Sequence, residues 1–289
     1  MRNRISRMAL AGIILWGLAG CSGGDTPTTP GNQIHNNTPP ALPSVSTMKP
    51  VLNFYDMPVP TLDQQTLSTG KPSDALQRTA EDHSNWINGY VRAIFAVFVT
   101  YDFLDEPVGA FALAINSVPQ KQDDGSYLWT YIFVDGDIEY SVFLYGTRQE
   151  DTVAWRMEVS SNHPDHPLDH FVWFSGESKN DDTGGYWQFY TPVDETNGAE
   201  SIRVDWSSEG PHDHTFMLTV NGSGLDNEGD ALTYHEGEDT SSVEFFDASA
   251  TTTSSVVWNR DGSGSLTVPD YNGGARACWD THQVNVACE

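Results

Sequence analysis

From Tyr127 onward the chain is a succession of short strand-like runs separated by turn residues, and this pattern limits the fold more than any other feature. The run Val153-Ala154-Trp155-Arg156-Met157 alternates apolar and polar side chains, as strands do when one face is buried and the other is in water. Asp135-Gly136-Asp137, between two such runs, is typical of a hairpin turn. Because consecutive strands usually pair, the sequence predicts an antiparallel meander of about a dozen strands.

The predicted strands end in a hairpin between the last two cysteines. Before that hairpin they cover residues 127–134, 139–145, 152–160, 171–176, 185–191, 201–207, 215–221, 231–235, 243–247, 254–259 and 265–268.

One helical pattern precedes these strands. Apolar residues recur at three- and four-residue steps from Leu76 to Phe98, and Ser73 or Asp74 offers an N-cap, so a helix is predicted over about 74–100. A long meander has two edges and one apolar face to cover, and curling around a helix would cover that face. The predicted fold class is therefore mainly β: a curved antiparallel meander, half-barrel or barrel-like, packed on one long N-terminal helix.

The chain begins with the composition of a bacterial secretion signal. Arg2, Arg4 and Arg7 form a basic segment, and an apolar run follows over residues 8–18. That run is too short to serve as a permanent transmembrane helix, which needs about 20 apolar residues. We therefore expect residues 1–20 to be a signal peptide.

The run closes on Leu18-Ala19-Gly20-Cys21, which resembles the lipobox of bacterial lipoproteins. This resemblance implies cleavage before Cys21, a diacylglyceryl group on its sulfur and a fatty acyl chain such as palmitate on its new amino group. Ser22 stands where an aspartate would signal inner-membrane retention, so the resemblance implies a cell-envelope protein anchored in the outer membrane. The alternative is an ordinary secreted protein with an incidental cysteine.

Residues 22–50 contain mostly Pro, Thr, Ser, Asn and Gly, a composition that cannot bury a core. We therefore expect a lipidated, disordered linker over 21–50 and a single β-rich domain over 51–289. In element order, residues 74–289 resemble the half-barrel-plus-helix architecture of periplasmic lipoprotein carriers. Residues 184–190 and 202–206 also resemble strands of uncharacterised β-rich envelope lipoproteins, which implies a fold and not an activity.

The chain is strongly acidic, with a net charge of −26 from 14 basic and 40 acidic residues. Such a charge repels nucleic acids and anionic lipid headgroups, so the only partner implied at this level is the membrane, reached through the lipid anchor. Solubility in a salty environment or a cation-binding surface would each explain the acidic balance.

Cys278 and Cys288 remain once Cys21 is assigned to lipid, and they form a plausible disulfide in an oxidising compartment. They flank a predicted hairpin with its turn near His282 and are equidistant from Gln283, so they should face each other across the ladder. The alternative, two thiols serving a metal or a redox reaction, lacks the usual CxxC spacing.

The densest polar cluster lies in the loop between the third and fourth predicted strands. It contains His163, His166 and His170, with aspartates between them, which are ligands suited to zinc or another transition metal. Pro164 and Pro167 forbid a helix here, so an exposed loop is the alternative interpretation. Otherwise no cofactor is indicated. Acidic turns such as Asp123-Asp124-Gly125 could hold calcium, but tight turns favour the same residues.

The chain contains no nucleophile elbow, zinc-protease helix, dinucleotide loop or P-loop, so the sequence favours a non-enzymatic protein. The leading hypothesis is a lipid-anchored binding protein that holds an apolar or amphipathic ligand, or a partner protein, against a concave sheet. The alternatives are a structural or surface interaction protein without a small-molecule site, and a metal-binding protein that uses the loop of His163 to His170.

Overall fold

The computed structural model describes residues 38–44, 47–48, 82–193, 195, 197–210, 213–225 and 227–289. The predicted signal peptide, the lipobox with Cys21, and residues 51–81 of the predicted domain lie outside the described residues. The statements about them stay predictions.

Among the described residues, fourteen strands form one open sheet in sequence order, and every neighbouring pair is antiparallel. The prediction of an antiparallel meander is therefore confirmed. The strands are β1 Gln120–Lys121, β2 Tyr127–Asp135, β3 Ile138–Arg148, β4 Thr152–Ser161, β5 Leu168–Lys179, β6 Gly184–Pro192, β7 Gly198–Gly210, β8 Asp213–Val220, β9 Ala231–Glu236, β10 Thr240–Asp247, β11 Thr252–Asn259, β12 Gly264–Thr267, β13 Ala277–Trp279 and β14 Asn285–Val286.

The sheet buries one face, and the alternation of side chains decides which residues lie there. On β8, Phe216 and Leu218 are buried, whereas Met217 between them is 40% exposed. Phe216 pairs with Trp206 on β7 and Tyr234 on β9, so the buried row continues from strand to strand. We call the face that carries Phe216 the inner face, and the face that carries Met217 the outer face.

A single α-helix, α1 Ser84–Ala114, lies against the inner face in the part of the chain that the structure describes. Its first N–H groups are satisfied in part by Asp82, whose carboxylate accepts the N–H of Ser84 at 2.9 Å. Near this end, Gly89 contacts Trp279 and Val256 so closely that an added Cβ would come within 3.0 Å of the indole. No described helix is long and apolar enough to cross a membrane.

The predicted bounds of the helix, 74–100, do not match α1. Residues 74–81 lie outside the described residues, and the prediction of an end at residue 100 is wrong because the helix continues to Ala114. The added turns are held by Ala110, Phe111 and Ala114, which are all buried in the core.

Part of the predicted linker, residues 38–44 and 47–48, packs against the sheet, and the rest of residues 21–50 lies outside the described residues. Residues 38–44 and 47–48, here called the N-terminal strap, pass the turns between β3 and β4 and between β5 and β6. Arg148 donates to the carbonyl of Pro39 at 2.9 Å, and the carboxylate of Asp182 accepts the N–H of Ser44 at 3.1 Å. Met48 is fully buried, so the strap contributes apolar surface to the core despite its polar composition.

Cys278 and Cys288 form the predicted disulfide, with Cα atoms 5.3 Å apart. Their predicted register is wrong, because Cys278 pairs with Val286 across β13 and β14. Cys288 lies two residues beyond that pair, so the disulfide crosses diagonally. It closes the C-terminal edge of the sheet.

Candidate functional site

A helix side chain, that of Phe111, covers the inner face where it passes β4, β5 and β6. The ring of Phe111 lies 4.9 Å from Trp155, 5.2 Å from Trp187 and 6.4 Å from Phe174, measured between ring centroids. All four side chains are almost completely buried. An apolar ligand on this part of the inner face would have to displace Phe111.

The histidines of the predicted metal loop do not converge. The rings of His163 and His166 stack with centroids 5.5 Å apart, and Nδ1 of His163 accepts the N–H groups of Asp165 and His166. This arrangement closes the loop between β4 and β5.

His170 turns instead to the outer face. Its Nδ1 lies 2.9 Å from a carboxylate oxygen of Glu158, and its ring stacks on Phe143 at 4.5 Å between centroids. Glu158 is only 4% exposed and also pairs with Arg156. His170 therefore serves as a hydrogen-bond partner of a buried carboxylate, which is a structural use of its ring.

The sequence has two further closely spaced histidines, His212 and His214. His212 is outside the described residues, and His214 is buried on the inner face, paired in register with Glu236. In an antiparallel meander, successive connections lie at alternate ends of the sheet. The β4–β5 loop and the beginning of β8 are therefore at opposite ends. Within the described ranges, no three His, Cys, Asp or Glu side chains are grouped to hold a metal ion.

A shallow groove of about 430 Å³ lies on the outer face, across β4 to β8. We call it the outer groove. Its rim and walls carry hydroxyl groups, two carboxylates, one ammonium group, one phenol and one thioether. The residues are Thr152, Glu177, Ser178, Lys179, Gly184, Gly185, Tyr186, Asp205, Trp206, Ser207, Thr215 and Met217.

Three glycines lie in or beside the outer groove. Gly185 and Gly176 are in register with Trp206 and Trp187 on the inner face, where an added Cβ would lie 2.2 Å from the carbonyl oxygen of Glu177 and 2.0 Å from that of Tyr186, respectively. Gly184 is paired with Ser207 and therefore faces outward, where a side chain would fill the groove. The strands approach so closely that only glycine is accommodated at these positions.

An ion pair and a stacked ring make one wall of the outer groove rigid. Arg203 binds the carboxylate of Asp205 through two hydrogen bonds of 2.8 and 2.6 Å, and its guanidinium lies 3.8 Å from the ring centroid of Tyr186. The hydrogen bonds to Asp205 raise the pKa of Arg203. Burial, and next the charge of Glu177, raises the pKa of Tyr186, so its phenol keeps its proton.

A second depression of about 590 Å³ shares Lys179 and Ser207 with the outer groove and extends it towards the N-terminal strap. Its lining includes Thr47, Asp181 and Glu209, so this end is acidic. The outer groove thus runs from an amphipathic wall at Tyr186 to an acidic end beside the strap.

Sequence patterns did not identify the outer groove, because its residues come from five strands. The pair Gly184-Gly185, at the start of the strand predicted over 185–191, was a local sign, since glycine in a strand marks close backbone approach. No protein-family model, curated protein or solved structure matches this chain.

Proposed function

We propose that this protein is a lipid-anchored protein of the bacterial cell envelope that binds a partner through the outer groove, without enzymatic chemistry. The anchor is Cys21 of the lipobox, and the residues between Cys21 and the strap form the spacer. The observation that carries the proposal is the contrast between the two faces of the sheet. Phe111 covers the inner face beside Trp155, Phe174 and Trp187, whereas the outer groove stays open.

We further propose that the sheet is curled around α1 as a half-barrel, which leaves the outer face as the accessible surface. Gly89 contacts Trp279 on β13, and Phe111 contacts Trp155 on β4. Across a flat sheet these two strands would lie about 43 Å apart. The helix rises only about 33 Å between Gly89 and Phe111, so curvature brings the strands within reach.

The lining of the outer groove favours a partner with both polar and apolar groups. Hydroxyls of Ser207 and Thr215 offer hydrogen bonds, while Tyr186 and Met217 offer apolar surface. Such a mixed surface suits a loop or strand of another protein better than an acyl chain, which would need an enclosed apolar cavity. The proposed partner is therefore a protein, which was one branch of the leading hypothesis from sequence.

Site-specific photocrosslinking in living cells tests this proposal. A photoreactive residue at Thr215, inside the outer groove, should give one discrete adduct, and the same residue at Glu244 on the outward face of β10 should not. Replacing Ser207 with tryptophan should block the adduct by filling the groove, whereas Ser242→Trp, in the same row three strands away, should not. Equal adducts at both positions, or none at either, would refute partner binding in the groove.

A further inference from the structure

The first long strand of the sheet has an edge without a partner along most of its length. β2 pairs with β3 over the nine positions from Tyr127 to Asp135. On its other edge, β1 covers only Tyr127 and Leu128. Among the described residues, the backbone from Trp129 to Asp135 therefore has no strand beside it on that edge.

This edge also lacks the features that normally keep sheet edges apart. The stretch Trp129-Thr130-Tyr131-Ile132-Phe133-Val134 contains no charge, proline or glycine. Ile132 and Val134 are 63% and 64% exposed. Native edge strands are usually short, charged, bulged or interrupted by proline, because an open edge recruits other strands.

The opposite edge of the sheet shows such protection. β14 is only two residues long, and the disulfide between Cys278 and Cys288 closes the chain beside it. One edge of the sheet is thus protected and the other is not, which indicates that the β2 edge is available for pairing.

We propose that a second copy of this chain pairs with the β2 edge in antiparallel orientation, forming a two-fold dimer with a continuous sheet. Because β1 occupies the positions beside Tyr127 and Leu128, the available stretch is 129–135, and its midpoint is Ile132. The two-fold axis therefore passes between Ile132 and the Ile132 of the second copy, which face each other. A self-complementary pairing of this kind closes at two copies.

This register matches residues of like character. Thr130 faces Val134 and Tyr131 faces Phe133 of the second copy, so apolar and aromatic side chains pair across the ladder. The two Asp135 residues lie six positions apart, which is about 20 Å along the strands. That separation exceeds the screening length of about 8 Å at physiological ionic strength.

The charge distribution limits where a second copy of this chain can pair. Two chains that each carry −26 repel one another over most of their surfaces. The stretch from Trp129 to Val134 carries no charged side chain, so two copies can approach each other there without bringing like charges together.

Disulfide trapping tests the register. The chain has three cysteines, of which Cys21 is assigned to lipid and the other two are bonded to each other, so an Ile132→Cys variant has one reactive thiol. Directly opposed residues in an antiparallel pair have a spacing that suits a disulfide. Full-length Ile132→Cys should form a covalent dimer in the envelope. Val193→Cys, from a valine that is 70% exposed between β6 and β7, should not.

Sedimentation of the full-length protein in detergent tests the association itself. The wild type should sediment as two chains per complex. Ile132→Lys should raise the dimer dissociation constant at least about tenfold, because two ammonium groups would face each other, and Val193→Lys should leave it unchanged. An unchanged circular dichroism spectrum confirms folding. A monomeric wild type, or equal effects of the two lysine variants, would overturn the proposal.

Discussion

The rings of Phe111 and Trp155 meet at 81°, with centroids 4.9 Å apart. Phe111 belongs to the last turn of α1 and Trp155 to β4, so this contact fixes the end of the helix to the first half of the sheet. Both rings are at most 2% exposed. The contact joins the helix to the sheet within the core.

Replacing Phe111 with alanine should therefore destabilise the protein by about 3–5 kcal/mol, because a large cavity would remain between helix and sheet. Ile115→Ala, one turn later at a side chain that is 65% exposed, should change the free energy of unfolding by no more than about 0.5 kcal/mol. Urea denaturation followed by tryptophan fluorescence measures both. Equal small effects would show that α1 does not seal the inner face.

The end of this helix illustrates what the sequence could and could not predict. Apolar periodicity marked a helix before the strands, but Pro107 and Gly109 are residues that normally end one. The helix nevertheless reaches Ala114 because Ala110 and Phe111 are buried against the sheet. Tertiary packing outweighs local propensity here, and no local pattern reports it.

The disulfide should stabilise the C-terminal edge. Reduction, or the double change Cys278→Ser and Cys288→Ser, should cost about 2–3 kcal/mol, the value expected for a short closed loop. Thermal unfolding with and without reductant measures this cost. The double variant should show no further response to reductant, which serves as the control. An unchanged melting temperature on reduction of the wild type would contradict the prediction.

His170 should matter for stability and not for metal binding. His170→Ala removes a partner of the buried carboxylate of Glu158 and should cost about 1–3 kcal/mol, whereas His166→Ala, on the exposed part of the same loop, should cost less than about 0.5 kcal/mol. Chelator treatment should leave the melting temperature of the wild type unchanged. Stoichiometric zinc, copper or nickel lost on mutation of His163 or His166 would instead support the metal hypothesis.

Three turns repeat one arrangement, in which an aspartate accepts hydrogen bonds from the hydroxyl and the N–H of the residue two positions later. They are the turns of Asp124, Asp181 and Asp261. These hydrogen bonds lower the pKa of each carboxyl from its ordinary value of 3.8.

Because the folded-state pKa is lowered, the contribution of these turns is complete above the unfolded-state value and is lost as pH falls through the lowered one. The melting temperature should therefore stay level from neutral pH to about pH 5 and fall below pH 3.8. Replacing all three aspartates with asparagine should make this fall of the melting temperature at low pH smaller. A fall as large as that of the wild type would show that other groups cause it.

The candidate site depends on contacts that no sequence pattern reports. The run of His163 to His170 was conspicuous in sequence, yet the strand geometry directs His170 towards Glu158 and away from His163. The outer groove joins Glu177, Tyr186 and Asp205 from three strands, and Gly184 places no side chain in it on the outer face of β6. Strand pairing, which is non-local, decides both outcomes.

Membrane attachment through Cys21 is the central claim, and fractionation of cells that express either the wild type or Cys21→Ser tests it most directly. The wild type should remain in the membrane pellet after high-salt washing, and intact mass measurement should show the added diacylglyceryl and acyl groups. The Cys21→Ser variant should move to the soluble fraction without them. A variant that stays in the pellet as firmly as the wild type would contradict the account.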